Sequence, residues 1–511
     1  MGKNLLLAIC ALASVSVQAQ KTADPQPFAK TITTADLKKH LSIIASAEME
    51  GRDTPSPGLE KAATYIETQF KAFGVQPGNK DSYRQFFDLE KDSASTLSLN
   101  MGGVDFNAWS DFAPWMQMPQ QVDLKFNEYV FVGYGIVDEK RDDYKTTDVK
   151  GKLVILLAGQ PDGFKTDRPR RQSPAFTANK IANAKKKGAA AVLIIADQLP
   201  SKQMLNNSYR PKPAVATQEE NNSIPAFFIN DNVVKKDGHS ISEIKASVGN
   251  ETIDPVTRQL PIAIQYASGK KTATVSNVVG MVEGSDKKNE YLFVTAHYDH
   301  VGIDEKGNIY YGADDDGSGT VSVMKMAEAF AKAKKEGKGP RRTVVFMLVA
   351  GEEKGLWGSE YYSENPIFPL DKTTADLNID MIGRIDTERM TADTQNYVYV
   401  VGHNKLSTDL PKINEGMNSK YTKLVLDYKF DDPNDPNRIY YRSDHYNFAR
   451  KGVPVLFFYD GMLKADYHQP TDTVDKINFS LMAKRAQMIF YTAWEMANRN
   501  DMLKRDLKLT Q

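Results

Sequence analysis

Residues 290–353 read EYLFVTAHYDHVGIDEKGNIYYGADDDGSGTVSVMKMAEAFAKAKKEGKGPRRTVVFMLVAGEE. EYLFVTAH is a short apolar run of strand type, and RRTVVFMLVA is a second, rich in β-branched residues. Between them GTVSVMKMAEAFAKAKKEG (319–337) carries apolar residues at helical spacing and closes on lysines and a glycine. Strand, helix and strand in that order predict two parallel strands with the helix laid over one face. The alternation continues downstream. GLWGSEYYSEN (355–365) begins a helix, TADLNID (374–380) and GVPVLFFYDG (452–461) read as strands, and FSLMAKRAQMIFYTAWEMANR (479–499) is a closing helix. The expected class is α/β, with a mostly parallel, mixed central sheet covered by helices on both faces.

Upstream, TADLKKHLSIIASAEMEGR (34–52) and GLEKAATYIETQFKAFGV (58–75) are two amphipathic stretches around the loop DTPSPG. From about 125 to 250 the character changes to short apolar runs, YVFVGYGI, KLVILLAG, AAVLII and IPAFFI, with one helix, TANKIANAKKKG. This reads as a small β-rich α/β module inserted in a larger domain. The expected organisation is 20–120 and 256–511 for the main domain and 121–255 for the insert, behind a leader at 1–19.

The leader reads MGKNLLLAICALASVSVQAQ: one lysine, an apolar run from Leu5 to about Val17, and small residues at the cleavage position. That is a secretory signal peptide, so export to the periplasm or the extracellular space is expected. Cys10, the only cysteine, lies in the segment to be removed, and bulky Ile9 before it argues against a lipid anchor there. The mature chain would then have no disulfide and no thiolate, which excludes cysteine nucleophiles and cysteine-based zinc sites. No later apolar run approaches the length of a transmembrane segment. Lys+Arg and Asp+Glu balance at 65 each, and a neutral chain without a basic run does not read as a nucleic-acid binder.

In open parallel sheets function gathers beyond the carboxyl ends of the strands. Here the strands end in FVTAHYDH with His297 and Asp299, FMLVAGEE with Glu352 and Glu353, and LNID with Asp380; His468 follows the last strand. Asp314, Asp315 and Asp316 stand just before the long helix. Taken singly, each has an ordinary explanation as a cap, a solvated acid or a hydrogen-bonded histidine. Together they do not, because at an effective dielectric of 20 two like charges about 4 Å apart cost roughly 4 kcal/mol. No Lys or Arg within these motifs offsets them. A divalent cation does.

VTAHYDHVG, GADDDGSG, AGEEKGLWGSEYY, NIDMIGR, RSDHYNFARKGVPVLFF and YHQPTDT, in that order, resemble the zinc exopeptidases of metallopeptidase family twenty-eight. That family includes bacterial leucyl aminopeptidases, glutamate carboxypeptidase and, more distantly, glutaminyl cyclases. The likeness covers about 270–500 closely and the N-terminal EGRDTPSPG more loosely. The insert, through DDYKTTDVKGKLVILLAGQ and NAKKKGAAAVLII, resembles a protease-associated domain.

The resemblance implies two Zn2+ ions per chain, with Mn2+ or Co2+ not excluded by a sulfur-free ligand set. His297 and Asp380 would hold one ion, Glu353 and His468 the other, and Asp315 would bridge them. Glu352 would be the general base, and Asp299 would orient the His297 ring through its second nitrogen. Asp314 and Asp316 would support the site without a settled role. Tyr441, Arg442, Asp444 and His445 would border the substrate, with His468 preferred over His445 as the last ligand. His40, His239, His300 and His403 read as structural or surface residues. The expected reaction is peptide hydrolysis, foremost by an aminopeptidase. A carboxypeptidase or glutaminyl cyclase on the same fold is the alternative, and an inactive binding protein a remote one. Five ligands favour a peptidase over a one-zinc cyclase.

Overall fold

The computed structural model describes residues 23–509 apart from 116–117, 140, 146, 201–208, 213–223, 249–253 and 391–392. The leader at 1–19 therefore lies outside the described residues. The chain divides into two compact units, Met1–Gln85 with Ser276–Gln511, and Phe86–Val275.

In the first unit the strand Lys287–His297 lies between two parallel neighbours, Arg342–Val349 and Thr373–Ile379. Thr373–Ile379 pairs in parallel with Val455–Tyr459, which is antiparallel to Tyr397–Val401. Val278–Val282 runs antiparallel to Arg342–Val349, so the sheet is mixed but mostly parallel, as the alternation implies. Every residue of Arg342–Val349 and Thr373–Ile379 is buried, the signature of strands covered on both faces. The register sets His297 opposite Val349 and Ile379 opposite Phe458. The last residues of four strands thus reach the same edge, and whatever follows them in sequence meets there.

The helix Gly319–Lys335 connects the first two parallel strands, and its side chains are buried along nearly the whole length. Phe330 stacks on Trp494 of the closing helix Phe479–Asn498. Near the N-terminus, Thr33 and Ser56 cap the helices Thr34–Ile44 and Pro57–Phe73 by accepting from Asp36 and Leu59 N–H groups. The first helix stops at Ile44, short of the stretch to Arg52 that the periodicity suggests. Residues 47–52 instead tighten into a turn that carries Arg52 inward. Arg52 is fully buried and donates to the carbonyls of Tyr298, Ile44, Tyr311 and Gly312. It ties the EGRD loop to the end of the His297 strand and to the chain just before the acid triplet.

Gly319 shows how tightly that region is packed. A Cβ there would lie 2.4 Å from Asp316 Oδ1 and 2.4 Å from the Ile379 carbonyl oxygen. Gly319→Ala is expected to cost about 1–3 kcal/mol, seen as a lower urea midpoint with an unchanged slope.

In the second unit the strands Gln121–Phe131, Leu153–Leu157, Ala191–Ile195 and Ala226–Ile229 form a parallel run. Val256–Ala267 pairs antiparallel with the first of them. Leu153–Leu157 and Ala191–Ile195 are buried throughout. The compact unit, Phe86–Val275, is wider than 121–255 at both ends, because the change in composition marks only its middle.

Candidate metal centre

His297 is the last residue of its strand, Asp380 follows Ile379 directly, and Glu352 and Glu353 follow the turn after Val349. The acid triplet occupies the loop that opens the helix Gly319–Lys335, and His468 comes in on the segment after Val455–Tyr459. The five residues read as ligands meet in one place. His297 Nε2 lies 3.2 Å from Asp315 Oδ1 and 3.6 Å from Asp380 Oδ1. His468 Nε2 lies 3.1 Å from Asp315 Oδ2 and 2.8 Å from Glu353 Oε2. Asp315 therefore offers one oxygen to each of two groups. In a tetrahedron with bonds of about 2.0–2.1 Å, two ligand atoms on one zinc stand about 3.3 Å apart. The His297 group brackets that value, and the His468 group lies a little inside it.

Hydrogen bonding points the same way. His297 Nε2, His468 Nε2 and Asp315 Oδ2 are buried and have no hydrogen-bond partner among the described residues. Buried polar atoms without partners are costly and call for an explanation, and bound metal is one that this donor set fits. Electrostatics agrees. Burial works against charge on His468, yet the adjacent Asp315 and Glu353 carboxylates hold its pKa up at about 10. Burial opposes ionisation of Asp315 too, but the His297 and His468 imidazoles keep its carboxyl well below the usual range.

The triplet's crowding resolves by divergence. Asp315 faces the two imidazoles. Asp316 turns back into the backbone: its Oδ1 accepts from Gly319 and Met381 N–H, and its Oδ2 from His297 N–H. It thereby joins two strand ends to the start of the helix. Asp314 accepts from Gly383 N–H and lies beside Asp460, and its pKa is raised by burial and by Asp460 and Asp472. Three neighbouring side chains thus have three different surroundings.

Asp299 stands behind His297, but the contact differs from the expected carboxylate bond. His297 Nδ1 donates to the Asp299 main-chain oxygen at 3.2 Å, and the nearest carboxylate oxygen is 3.7 Å away. That carboxylate instead accepts from Glu352 N–H and the Thr54 hydroxyl, so it positions the loop that carries Glu352. Glu352 Oε2 lies 3.9 Å from His297 Nε2. Burial raises its pKa well above the carboxylate range against the pull of His297, helped by Asp380 and Glu353.

His300, read from the sequence as structural, is fully buried at the centre and bonds Glu353 Oε1 through Nδ1 at 2.8 Å. Its presence three residues after His297 is the one signal that could have placed it. Asp472, within the same motif as His468, accepts from the N–H groups of Asp314 and Asp315 and holds the triplet loop. His40 bonds Tyr65 and His403 bonds Asp431, both away from the centre.

Of the four residues read as bordering the substrate, Arg442 lines the cleft beside Asp315, Glu352 and Asp380. Tyr441 packs edge-on against Tyr446 instead. Asp444 is buried and accepts from Ser359, and His445 is buried and stacks on Phe457. Asp444 stands just before the short helix His445–Ala449, where the charges of His297, Asp299 and Asp380 act on it, and His445 is the first residue of that helix. Ser443, between Arg442 and Asp444, does reach the centre: it donates to Asp380 Oδ2 and accepts from Asn378.

With this geometry in view, residues 277–493 match Peptidase family M28 and residues 126–237 match a PA domain. A probable leucine aminopeptidase of the fungus Arthroderma benhamiae is 26% identical over 285 residues, 54% of this chain and 74% of that protein. A probable zinc metalloprotease of Leptosphaeria maculans is 31% identical over 143 residues, 28% of this chain and 30% of its own. Among solved structures, an aminopeptidase from Aneurinibacillus sp. strain AM-1 covers 96% of this chain and all of its own, with a TM-score of 0.56 at 19% identity. A zinc aminopeptidase from Bacillus subtilis covers 93% of this chain and 99% of its own, with a TM-score of 0.53 at 19% identity. At those identities the structural likeness concerns the fold.

Proposed function

Residues 277–493 belong to peptidase family M28, and on that footing we propose that the chain is an exported two-zinc aminopeptidase. His297 and Asp380 would hold one ion, Glu353 and His468 the other, with Asp315 shared. The observation that carries this reading is the pair of three-atom groups joined through the two oxygens of Asp315. Zinc held by these residues would supply a Lewis acid for the scissile carbonyl and for the attacking water.

The chain's own groups would do the rest. Glu352, on the wall of the cleft, is the carboxylate left outside the ligand set. Its raised pKa suits a group that accepts a proton from the attacking water and passes it to the leaving amine. Asp299 would keep both partners in place, holding Glu352 through its carboxylate and His297 through its carbonyl. His300 would orient Glu353, and Ser443 would orient Asp380. The relatives described as aminopeptidases support an aminopeptidase over a carboxypeptidase. Among the described residues no helix is long and apolar enough to cross a membrane.

The test is a substrate panel on purified protein: aminoacyl-4-nitroanilides, N-acetylated dipeptides and N-terminal glutaminyl peptides, before and after removal of metal with a chelator. Turnover of free-amine substrates alone is expected, lost on chelation and restored by zinc. Turnover of N-blocked dipeptides in preference, or activity indifferent to the chelator, would overturn the reading.

A further inference from the structure

The cleft beside the centre has a side whose chemistry a purely apolar substrate would not satisfy. Met381, Ile439, Phe457 and Leu463 give it apolar walls. Tyr459 lines the same cleft and is 3% exposed, yet its hydroxyl has no hydrogen-bond partner among the described residues. Arg442 is exposed on the cleft wall, where it donates to the Tyr467 hydroxyl at 3.1 Å. Neither feature belongs to the ligand set or to the proton-transfer group.

A buried hydroxyl can donate one hydrogen bond and accept others, and left unmade the bond costs about 1–3 kcal/mol. Filling the cleft with a leucine side chain would seal that cost in. A side chain of similar length that ends in an oxygen acceptor would remove it. Arg442 adds a sign: its guanidinium repels lysine and arginine side chains and attracts carbonyl and carboxylate oxygens. Sites built to hydrogen-bond one substrate group reject analogues that lack it far more strongly than apolar pockets discriminate by size.

We infer that this cleft receives the side chain of the substrate's N-terminal residue and selects one that ends in a carbonyl or carboxylate oxygen, glutamine or glutamate, over leucine or methionine. The inference rests on the aminopeptidase reading and adds its substrate class. Tyr459 would meet the acceptor within the cleft, and Arg442 would distinguish the carboxylate from the amide.

The experiment compares kcat/KM for glutaminyl-, glutamyl-, leucyl- and methionyl-4-nitroanilide with the zinc-loaded protein, its Tyr459→Phe variant and its Arg442→Met variant. Competitive inhibition by free glutamine, glutamate and leucine gives a readout of binding that does not depend on the chemical step. In the parent protein the glutaminyl and glutamyl substrates should exceed the leucyl one by at least about tenfold. Tyr459→Phe should lower both by about tenfold and leave the leucyl value in place, and Arg442→Met should lower the glutamyl value alone. A leucyl substrate turned over as fast as the glutaminyl one, or a Tyr459→Phe variant weakened equally toward all four, would overturn the inference while the aminopeptidase reading stands. Cleavage of N-blocked dipeptides only would overturn both.

Discussion

Glu352→Gln is expected to lower kcat by about three orders of magnitude while leaving zinc content and the unfolding midpoint unchanged. General acid–base catalysis contributes about 10²–10⁴-fold, and Glu352 is the cleft carboxylate that the two ligand groups leave over. The substitution keeps side-chain length and volume. It also keeps the main-chain bonds that fix the loop, from Glu352 N–H to Asp299 and from Gly355 and Leu356 N–H to the Glu352 carbonyl. What disappears is a group able to take a proton. Steady-state kinetics with elemental analysis of the same preparation measures both halves. A variant within tenfold of the parent kcat would remove Glu352 from the mechanism, and a variant that lost zinc would make it a ligand.

Asp315→Ala should act on the metal itself. Each proposed ion has two ligands of its own, His297 with Asp380 and His468 with Glu353, and Asp315 supplies the third to both. A catalytic zinc with three protein ligands keeps one open position, so losing the shared carboxylate leaves two weak two-ligand sites. Zinc is expected to fall from about two ions per chain to less than one, with activity lost in proportion. Two ions retained after dialysis would refute the bridging role.

Acid should produce a related loss in the parent protein. Ligand imidazoles bind metal only when neutral, and in the metal-free protein the flanking carboxylates hold His468 protonated up to about 10. Protons therefore compete with zinc for that site, and falling pH favours the protons.

Several features of the site could be read along the chain because they are local or follow from one topological rule. The alternation of EYLFVTAH, the long helix and RRTVVFMLVA requires parallel strands, and parallel strands deliver their final residues to one edge. From that His297, Glu352 and Glu353 share an edge, and the strand order then sets Asp380, 83 residues after His297 (380 − 297), beside them. The resemblance of YHQPTDT to a family motif added His468, which no periodicity indicates.

The three-dimensional packing decided which way each polar side chain faces once it arrives. Asp314, Asp315 and Asp316 are chemically identical and adjacent; the family resemblance singles out Asp315, but only the fold shows Asp316 buried against Gly319, Met381 and His297 N–H and Asp314 against Gly383 N–H. The same holds for His300 and His445: the first lies against Glu353 and the second on Phe457, because of the turns that follow their strand and precede their helix. Sequence determined which residues share an edge, since secondary structure follows from local patterns of apolar residues. Orientation at that edge depends on backbone donors and neighbouring charges brought in from residues 52, 299, 383 and 472, and only the folded chain puts those within reach.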